Sequence, residues 1–427
     1  MIALALSLLL AAPPAPRALS LADALGLAAK RNPEVRAAEA EAERVHDVDR
    51  QALSFFFPTV EARATMQWND RRLAFSAGPT TFVLQPWWTA NWQVVATENL
   101  ALYGPAIPLL RQANAAQRAA SAVTAQTREE ISFAAARAYY AALEADALVA
   151  VAEEAKSSAA ELLRQTEGKK SAGRATEADV LRAKLRVSET AQAADQTHRG
   201  ADEAHAMLAD VLGDAGPFAL ARPPRPATPA GSEDPPESSL AHRADVAAAS
   251  EAVTGADLAK TAAARQFLPS LSVSGVYSGY ATSDGDLFGQ LPTRYSVLGV
   301  ASIPIFDGNL KYWQLREKRA ALAEAHAREE AARTAASADL RRAKSRLAAA
   351  RDAETLSHER LTLAERTREL VSGSYQLGAA TQLEILDADA ARSAAQRDAA
   401  QAELEVDVAI LDLRRALGLP LLEGSAP

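Results

Sequence analysis

The chain repeats its least helical element. Phe56-Phe57-Pro58-Thr59-Val60-Glu61-Ala62-Arg63-Ala64 returns 211 positions later as Phe267-Leu268-Pro269-Ser270-Leu271-Ser272-Val273-Ser274-Gly275. Each copy opens a run of period two, the pattern of a half-buried strand, and a second such run follows it. In the first copy Val60, Ala62, Ala64, Met66 and Trp68 oppose Glu61, Arg63, Thr65 and Gln67. After an expected loop, Trp88, Ala90, Trp92, Val94 and Ala96 alternate with Thr89, Asn91, Gln93, Val95 and Thr97. In the second copy Leu271, Val273, Gly275 and Tyr277 oppose Ser272, Ser274, Val276 and Ser278, and Tyr295, Val297, Gly299, Ala301 and Ile303 form the fourth run.

Each run has about the length of a tilted membrane strand, roughly 9–11 residues. Trp68, Trp87, Trp88 and Trp92 all fall in the first hairpin, where an aromatic girdle would sit. The faces opposite the apolar ones carry Ser, Thr, Gln and Asn, as a wet lumen requires. An amphipathic strand packed on a soluble core is the competing reading. Four strands cannot close a barrel, because filled barrels begin at about eight. Lipid does not tolerate open edges. The strands therefore have to pool between chains, and three chains supply twelve.

Composition limits the alternatives. The 427 residues carry a net charge of −8 with both signs interspersed, which excludes the concentrated basic face that nucleic acid needs. There is no cysteine, hence no disulfide, thiolate zinc site or lipidated Cys. Ile2 to Ala12 is apolar, too short to span a bilayer, and reads as the core of a signal peptide over 1–18. It lacks a basic lead, which places the expected start codon upstream. No other stretch reaches 18 apolar residues, so any crossing of a membrane falls to strands.

Two segments, Leu109–Glu167 and Asn309–Ser372, contain neither Gly nor Pro. The first has 59 residues, about 90 Å as a helix. Each long arm turns at a glycine, Gly173 or Gly378, and each return arm ends in Leu-Gly, at Gly213 or Gly418; both spacings are 205. Their Ala-rich faces suit close-packed coiled coils, and a solvated rod is the other reading. Leu21–Leu53 reads as helix, broken at Asn32-Pro33 with Pro33 as a first helical residue. Pro217–Pro236 holds seven prolines and reads as an extended linker without a core.

The expected fold class is α+β: long antiparallel helical coiled-coil hairpins plus four transmembrane strands per chain, pooled into a trimeric twelve-stranded barrel and helical tunnel. The expected division is a signal peptide (1–18), N-terminal helices (19–57), β-hairpin 1 (58–103), helical hairpin 1 (104–215), linker (216–240), a helix of the second repeat (241–268), β-hairpin 2 (269–306), helical hairpin 2 (307–418) and a tail (419–427).

These residues resemble the TolC-like outer-membrane efflux protein family. Tyr375-Gln376-Leu377-Gly378-Ala379-Ala380-Thr381-Gln382-Leu383-Glu384-Ile385-Leu386-Asp387-Ala388 is similar to the family's second helix turn, and Ala172–Val180 to its first. Ile303-Pro304-Ile305-Phe306-Asp307-Gly308 is similar to its strand-to-helix junction, and the Phe-x-Pro strand entries match. The resemblance implies a homotrimer in outer-membrane lipid that extends into the periplasm, with a periplasmic adaptor and an inner-membrane pump as partners. The implied function is a passive exit channel for efflux or type I secretion, gated at its periplasmic end.

At the turns, Thr176 with Asp179 and Thr381 with Glu384 read as capping boxes, which helix starts use without any further role. The resemblance adds contact of Gly173, Thr176, Gly378 and Thr381 with the adaptor. It also implies a gate at Tyr375, Asp179, Glu384 and Asp387. Glu384 and Asp387 share a helix face, and threefold symmetry would make them acidic rings that raise one another's pKa and favour cations. Solvated helix surface is the alternative for each carboxylate. Tyr375 and Asp179 match a pair that holds neighbouring hairpins together. Ala380 and Ala178 replace the residues of a second link, with Arg174 as a candidate substitute.

His198 and His205, seven apart, read as surface residues, as do the Glu pairs at 129–130, 153–154 and 329–330. No catalytic constellation, phosphate loop or metal-ligand spacing appears, so an enzyme, a cofactor and a metal site are not expected. A periplasmic coiled-coil adaptor or scaffold is the second functional reading, and a helical hydrolase the third. The strand runs separate the first two, because a scaffold has no use for apolar faces of lipid length.

Overall fold

The computed structural model describes residues 17–100, 104–214, 218–229, 240–283 and 293–422. The signal peptide, read over 1–18, therefore lies almost wholly outside the described residues, as do residues 216–217 and 230–239 of the linker and the last five residues. The chain divides into two compact units: one of residues 1–40, 122–247 and 331–427, the other of 41–121 and 248–330.

The second unit holds the sheet. Its strands are β2 (Thr59–Trp68), β5 (Trp88–Asn99), β7 (Ser270–Thr282) and β8 (Thr293–Ser302), antiparallel in the order β2-β5-β7-β8. Val60, Ala62, Ala64, Met66 and Trp68 stand opposite Ala96, Val94, Trp92, Ala90 and Trp88. Ala96, Val94 and Trp92 then stand opposite Gly275, Tyr277 and Gly279, and Gly275 and Tyr277 opposite Val297 and Tyr295. Directly paired residues share a face. The four apolar sets read from the sequence therefore merge into one continuous apolar face, and Glu61, Arg63, Gln93, Asn91, Ser278 and Arg294 stand on the other. Both outer strands, β2 and β8, are exposed along their whole length, and among the described residues neither has a partner beyond it.

Glycine has a packing reason at one point of this sheet. Gly279 lies opposite Trp92, and a Cβ there would stand 2.8 Å from the indole Cε2 and Nε1. The indole covers the glycine and meets Tyr277 edge-on at 5.2 Å between ring centres. The stretch between Trp68 and Trp88, expected as a loop, is a further hairpin: β3 (Leu73–Ala77) pairs with β4 (Thr80–Gln85), with Gly78 at φ +68 in the turn and Phe75 stacked on Phe82.

The sheet has aromatic residues at both ends. Trp68 and Trp88 pair at one end, with Trp87 exposed beside them. By register, the opposite end receives the entries to β2 and β7 and the exit of β8. Phe55, Phe57, Phe267 and Phe306 are exposed there, and Trp313 is exposed on the helix that follows β8. The sequence reading identified only the first of these bands.

The first unit is built on helices: α1 (Leu21–Arg31), the start of α2 (Pro33–Leu53), most of α3 (Ala106–Ser171), α4 (Glu177–Leu212), the start of α5 (Ala244–Arg265), most of α6 (Leu310–Leu377) and α7 (Gln382–Ala416). Pro33 is the first residue of α2, where its missing N–H costs nothing. Buried Ala336, Leu340, Ala343, Leu347 and Ala350 on α6 step by four and three, a coiled-coil seam that packs with Val406, Ala409, Ile410 and Leu413 of α7. A larger core joins Leu19, Leu21, Ala24 and Ala28 to Tyr139, Tyr140, Leu208, Leu212, Leu404 and Leu411.

The duplication extends to helix ends. α4 stops at Gly213, φ +64, packed against Arg31; α7 stops at Leu417-Gly418, Gly418 at φ +68, packed against Arg243. Arg31 pairs with Asp214, and Arg243 donates to the Ala416 carbonyl at 3.0 Å. Arg243 thus satisfies the C-terminus of α7, where the dipole favours a cation, and the Asn32 amide donates to the Val211 carbonyl in the last turn of α4 at 3.2 Å.

The start of the linker, read from the sequence as extended and without a core, carries a short strand. β6 (Phe218–Leu220) lies parallel to β1 (Arg17–Leu19). The Tyr139 hydroxyl lies 2.8 Å from the Leu19 carbonyl and 2.5 Å from the Ala221 carbonyl. Arg225 then pairs with Glu354 at 2.6 Å and with buried Asp407 at 3.1 Å. These side chains come from distant positions, so the sequence could not show that the prolines are strapped down.

Tyr139→Phe should lower stability by about 1 kcal/mol in chemical denaturation of the purified chain, because the hydroxyl's hydrogen bond between α3 and the two short strands is lost. Gly279→Val should displace the Trp92 indole and cost about 1–3 kcal/mol, with a change in tryptophan emission that Gly275→Ala does not produce.

Candidate functional site

The two helix turns singled out by the sequence are built alike. Gly173 follows α3 with φ +72, and Gly378 follows α6 with φ +81. The Arg174 N–H donates to the Lys169 carbonyl and the Ala379 N–H to the Ser374 carbonyl, each at 2.8 Å, which closes the last helical turn. A Cβ at either glycine would meet nothing within 4 Å. The left-handed backbone, and not crowding, calls for glycine here.

Thr176 and Thr381 are N-caps of α4 and α7, and both capping boxes are complete. The Asp179 carboxylate accepts from the Thr176 hydroxyl at 2.7 Å and its N–H at 2.9 Å. The Glu384 carboxylate accepts from the Thr381 N–H at 2.6 Å and its hydroxyl at 3.0 Å. The Thr176 hydroxyl, its N–H and then the Arg182 charge hold Asp179 below the usual carboxylate range. The Thr381 N–H, followed by its hydroxyl, does the same for Glu384. Carboxylates lowered in this way lend stability above their unfolded values, near 3.8 and 4.5, and lose it as pH falls through the lowered folded values.

Within one chain the Glu384 carboxylate turns back onto its own helix start, and it is lowered. Asp387 lies exposed one turn on. Within one chain the Tyr375 hydroxyl lies 3.5 Å from Thr166 Oγ1, and the Asp179 carboxylate is engaged by Thr176. Tyr375 is buried in a small cluster with Leu162 of α3 and Ile385 of α7. Arg174, the candidate substitute tie, is exposed.

Two residues absent from the sequence reading connect the turns. Lys169 places its ammonium 3.2 Å from the centre of the Tyr375 ring and donates to the Tyr375 carbonyl at 2.8 Å. Gln382, buried, donates from Nε2 to the Asp179 carbonyl at 2.8 Å. Lys169 has no distinguishing sequence context, and a glutamine inside a helix start signals nothing by itself.

Further along the helices, polar pairs tie neighbouring arms. His198 meets Glu153 at 3.1 Å and His205 meets Asp146 at 3.0 Å, so both histidines brace α4 against α3. Glu154 faces the other way, to Arg392 at 2.6 Å and Gln396 at 3.2 Å on α7. Glu129 departs from its reading as surface charge: burial raises its carboxyl, against the opposing pull of Arg243 and Arg415. Among the described residues, no group of three His, Asp or Glu gathers as a metal site, and no helix is long and apolar enough to cross a membrane.

Residues 236–419 match the family described as outer membrane efflux protein. No protein of curated function matches the sequence. Solved structures match nearly end to end. CusC, at 18% identity, superposes with a TM-score of 0.83 over 97% of this chain and 96% of its own. The outer-membrane channel OprN, at 23%, gives 0.80 over 94% and 90%. VceC, an outer-membrane protein of Vibrio cholerae, gives 0.78 at 19% identity over 94% and 96%. Residues 236–419 are thus similar to the outer membrane efflux protein family, and the chain as a whole has the fold of these solved outer-membrane proteins.

Proposed function

We propose that the protein is a passive exit duct of the outer membrane, a homotrimer whose strands close a twelve-stranded barrel and whose helices continue it into the periplasm. It performs no covalent chemistry; an inner-membrane pump drives export, and a periplasmic adaptor joins the two. The observation that carries this reading is the sheet: one apolar face runs unbroken through four strands, and both edges are bare. In lipid an unpaired edge leaves backbone groups without partners, at several kcal/mol each. Under threefold symmetry β8 of one chain runs antiparallel to β2 of the next, and each edge finds its complement. The aromatic bands at the two ends of the strands suit the two interfaces of a bilayer. OprN, CmeC and MtrE are outer-membrane channels by their descriptions, which supports the same assignment.

A periplasmic adaptor or scaffold accounts for the coiled coils but not for the exposed apolar face. Fractionation decides between them: the duct sediments with outer membranes and migrates as a heat-modifiable trimer, whereas a buffer-soluble monomer would end the proposal.

The turns are the proposed periplasmic mouth. Gly173, Thr176, Gly378 and Thr381 sit where two rigid helices reverse, a fixed and exposed edge suited to an adaptor. Tyr375, Asp179, Glu384 and Asp387 line the closing end, with Asp387 presenting the charge that no cap engages.

Gly378→Glu should abolish export in cells while trimers still form, since the site is open and the strain is about 1–2 kcal/mol per chain; export at the parental rate would remove the docking role. Replacing Glu384 and Asp387 together by Ala should weaken divalent-cation block of the conductance in planar bilayers at least several-fold; unchanged block would remove the acidic rings.

A further inference from the structure

The two helical hairpins are joined very unevenly along their length. Near the base of the first unit, Tyr139, Tyr140, Leu404 and Leu411 share an extensive apolar core with Leu208 and Leu212. At the turns, the apolar part of the junction reduces to Leu162, Tyr375 and Ile385, with partly buried Val371, Ala380 and Leu386 at its margin. Polar contacts dominate there, and they involve few side chains.

Lys169 is central among them. It comes from the last turn of α3, and its half-buried ammonium reaches the last turn of α6. It covers the Tyr375 ring and donates to the Tyr375 carbonyl, a main-chain oxygen at the helix C-terminus. A cation suits that position twice, through the ring face and through the helix dipole. Its neighbour Lys170 is occupied within the first turn, in a close ion pair with Glu177. The Tyr375 hydroxyl contributes little, at 3.5 Å from Thr166.

The second polar tie, Gln382 to the Asp179 carbonyl, is half satisfied. Gln382 Oε1 is buried and finds no donor among the described residues. A buried amide oxygen without a donor favours separation of the turns, where water can reach it. The junction thus combines one strong clasp with a strained one, which suits a contact that has to open.

We propose that Lys169 is the latch of the duct: its clasp on the ring and carbonyl of Tyr375 holds the two turns of a chain together in the closed state, and its release lets them part. The tie is made by a cation of the first hairpin on the main chain and ring of the second, and does not need the tyrosine hydroxyl. This proposal rests on the channel reading above.

The test uses the detergent-solubilised full-length protein, with two readouts: hydrogen exchange of the amides in residues 372–380, and conductance in planar bilayers. Lys169→Ala should raise exchange there at least several-fold and increase conductance. Lys169→Arg, which keeps both the charge and the donors, should behave as the parent, and Tyr375→Phe, which keeps the ring and the carbonyl, should leave exchange at the parental rate. Lys169→Met, which retains the aliphatic stem, provides the same loss of charge should the alanine variant fail to assemble. Unchanged exchange in Lys169→Ala would show that there is no clasp. Raised exchange with parental conductance would show a clasp that does not gate. Raised exchange in Tyr375→Phe would assign the clasp to the hydroxyl. Each of these outcomes overturns the proposal. A parent that never conducts refutes the channel reading instead, and the exchange arm still decides whether Lys169 holds the turns.

Discussion

The rest of the structure depends on backbone groups along two unpaired strands. β2 and β8 each present a row of N–H and C=O groups with no neighbouring strand among the described residues, on a sheet whose one face is apolar throughout. In water such a sheet would aggregate through its edges and its face. In a bilayer the face is solvated by lipid, but the edges become intolerable unless other copies cover them. One requirement thereby explains why the strands are few, why their register is shared, and why the proposed unit contains several chains.

The helices answer a different requirement. Alanine-rich seams with steps of three and four let long arms approach closely, but each seam stabilises weakly per residue because the side chains are small. The chain compensates with polar ties at intervals: His198 and His205 to α3, Glu154 to Arg392 and Gln396, and the arginines at the ends of α4 and α7. Most are exposed pairs, each worth little alone, and they act as register marks more than as sources of stability. The linker adds a strap, held by the Tyr139 hydroxyl and by Arg225, across helices from both repeats.

Duplication places equivalent turns side by side without making them identical. Both turns use glycine in the left-handed region and a complete capping box. The asymmetry lies in what crosses between them: a lysine from one side, a tyrosine and a glutamine from the other. The capping carboxylates illustrate a competition for the same group. Asp179 and Glu384 have backbone donors within their own helix start, and these local bonds take precedence over longer reaches within a chain.

Much of the architecture was legible in the residues. Period-two runs fixed the four strands and their faces, because a strand must alternate whatever surrounds it. The absence of Gly and Pro marked the long helices, and Gly173, Gly378, Thr176 and Thr381 marked their ends, because caps are local chemistry. Tertiary structure alone decided the rest. The hairpin between Trp68 and Trp88 escaped notice because its strands are short and scarcely alternate. The ordered start of the linker depends on partners 82 or more residues away. The partner of Tyr375 is a lysine 206 positions distant, chosen by how two hairpins meet and by nothing in the sequence around either residue.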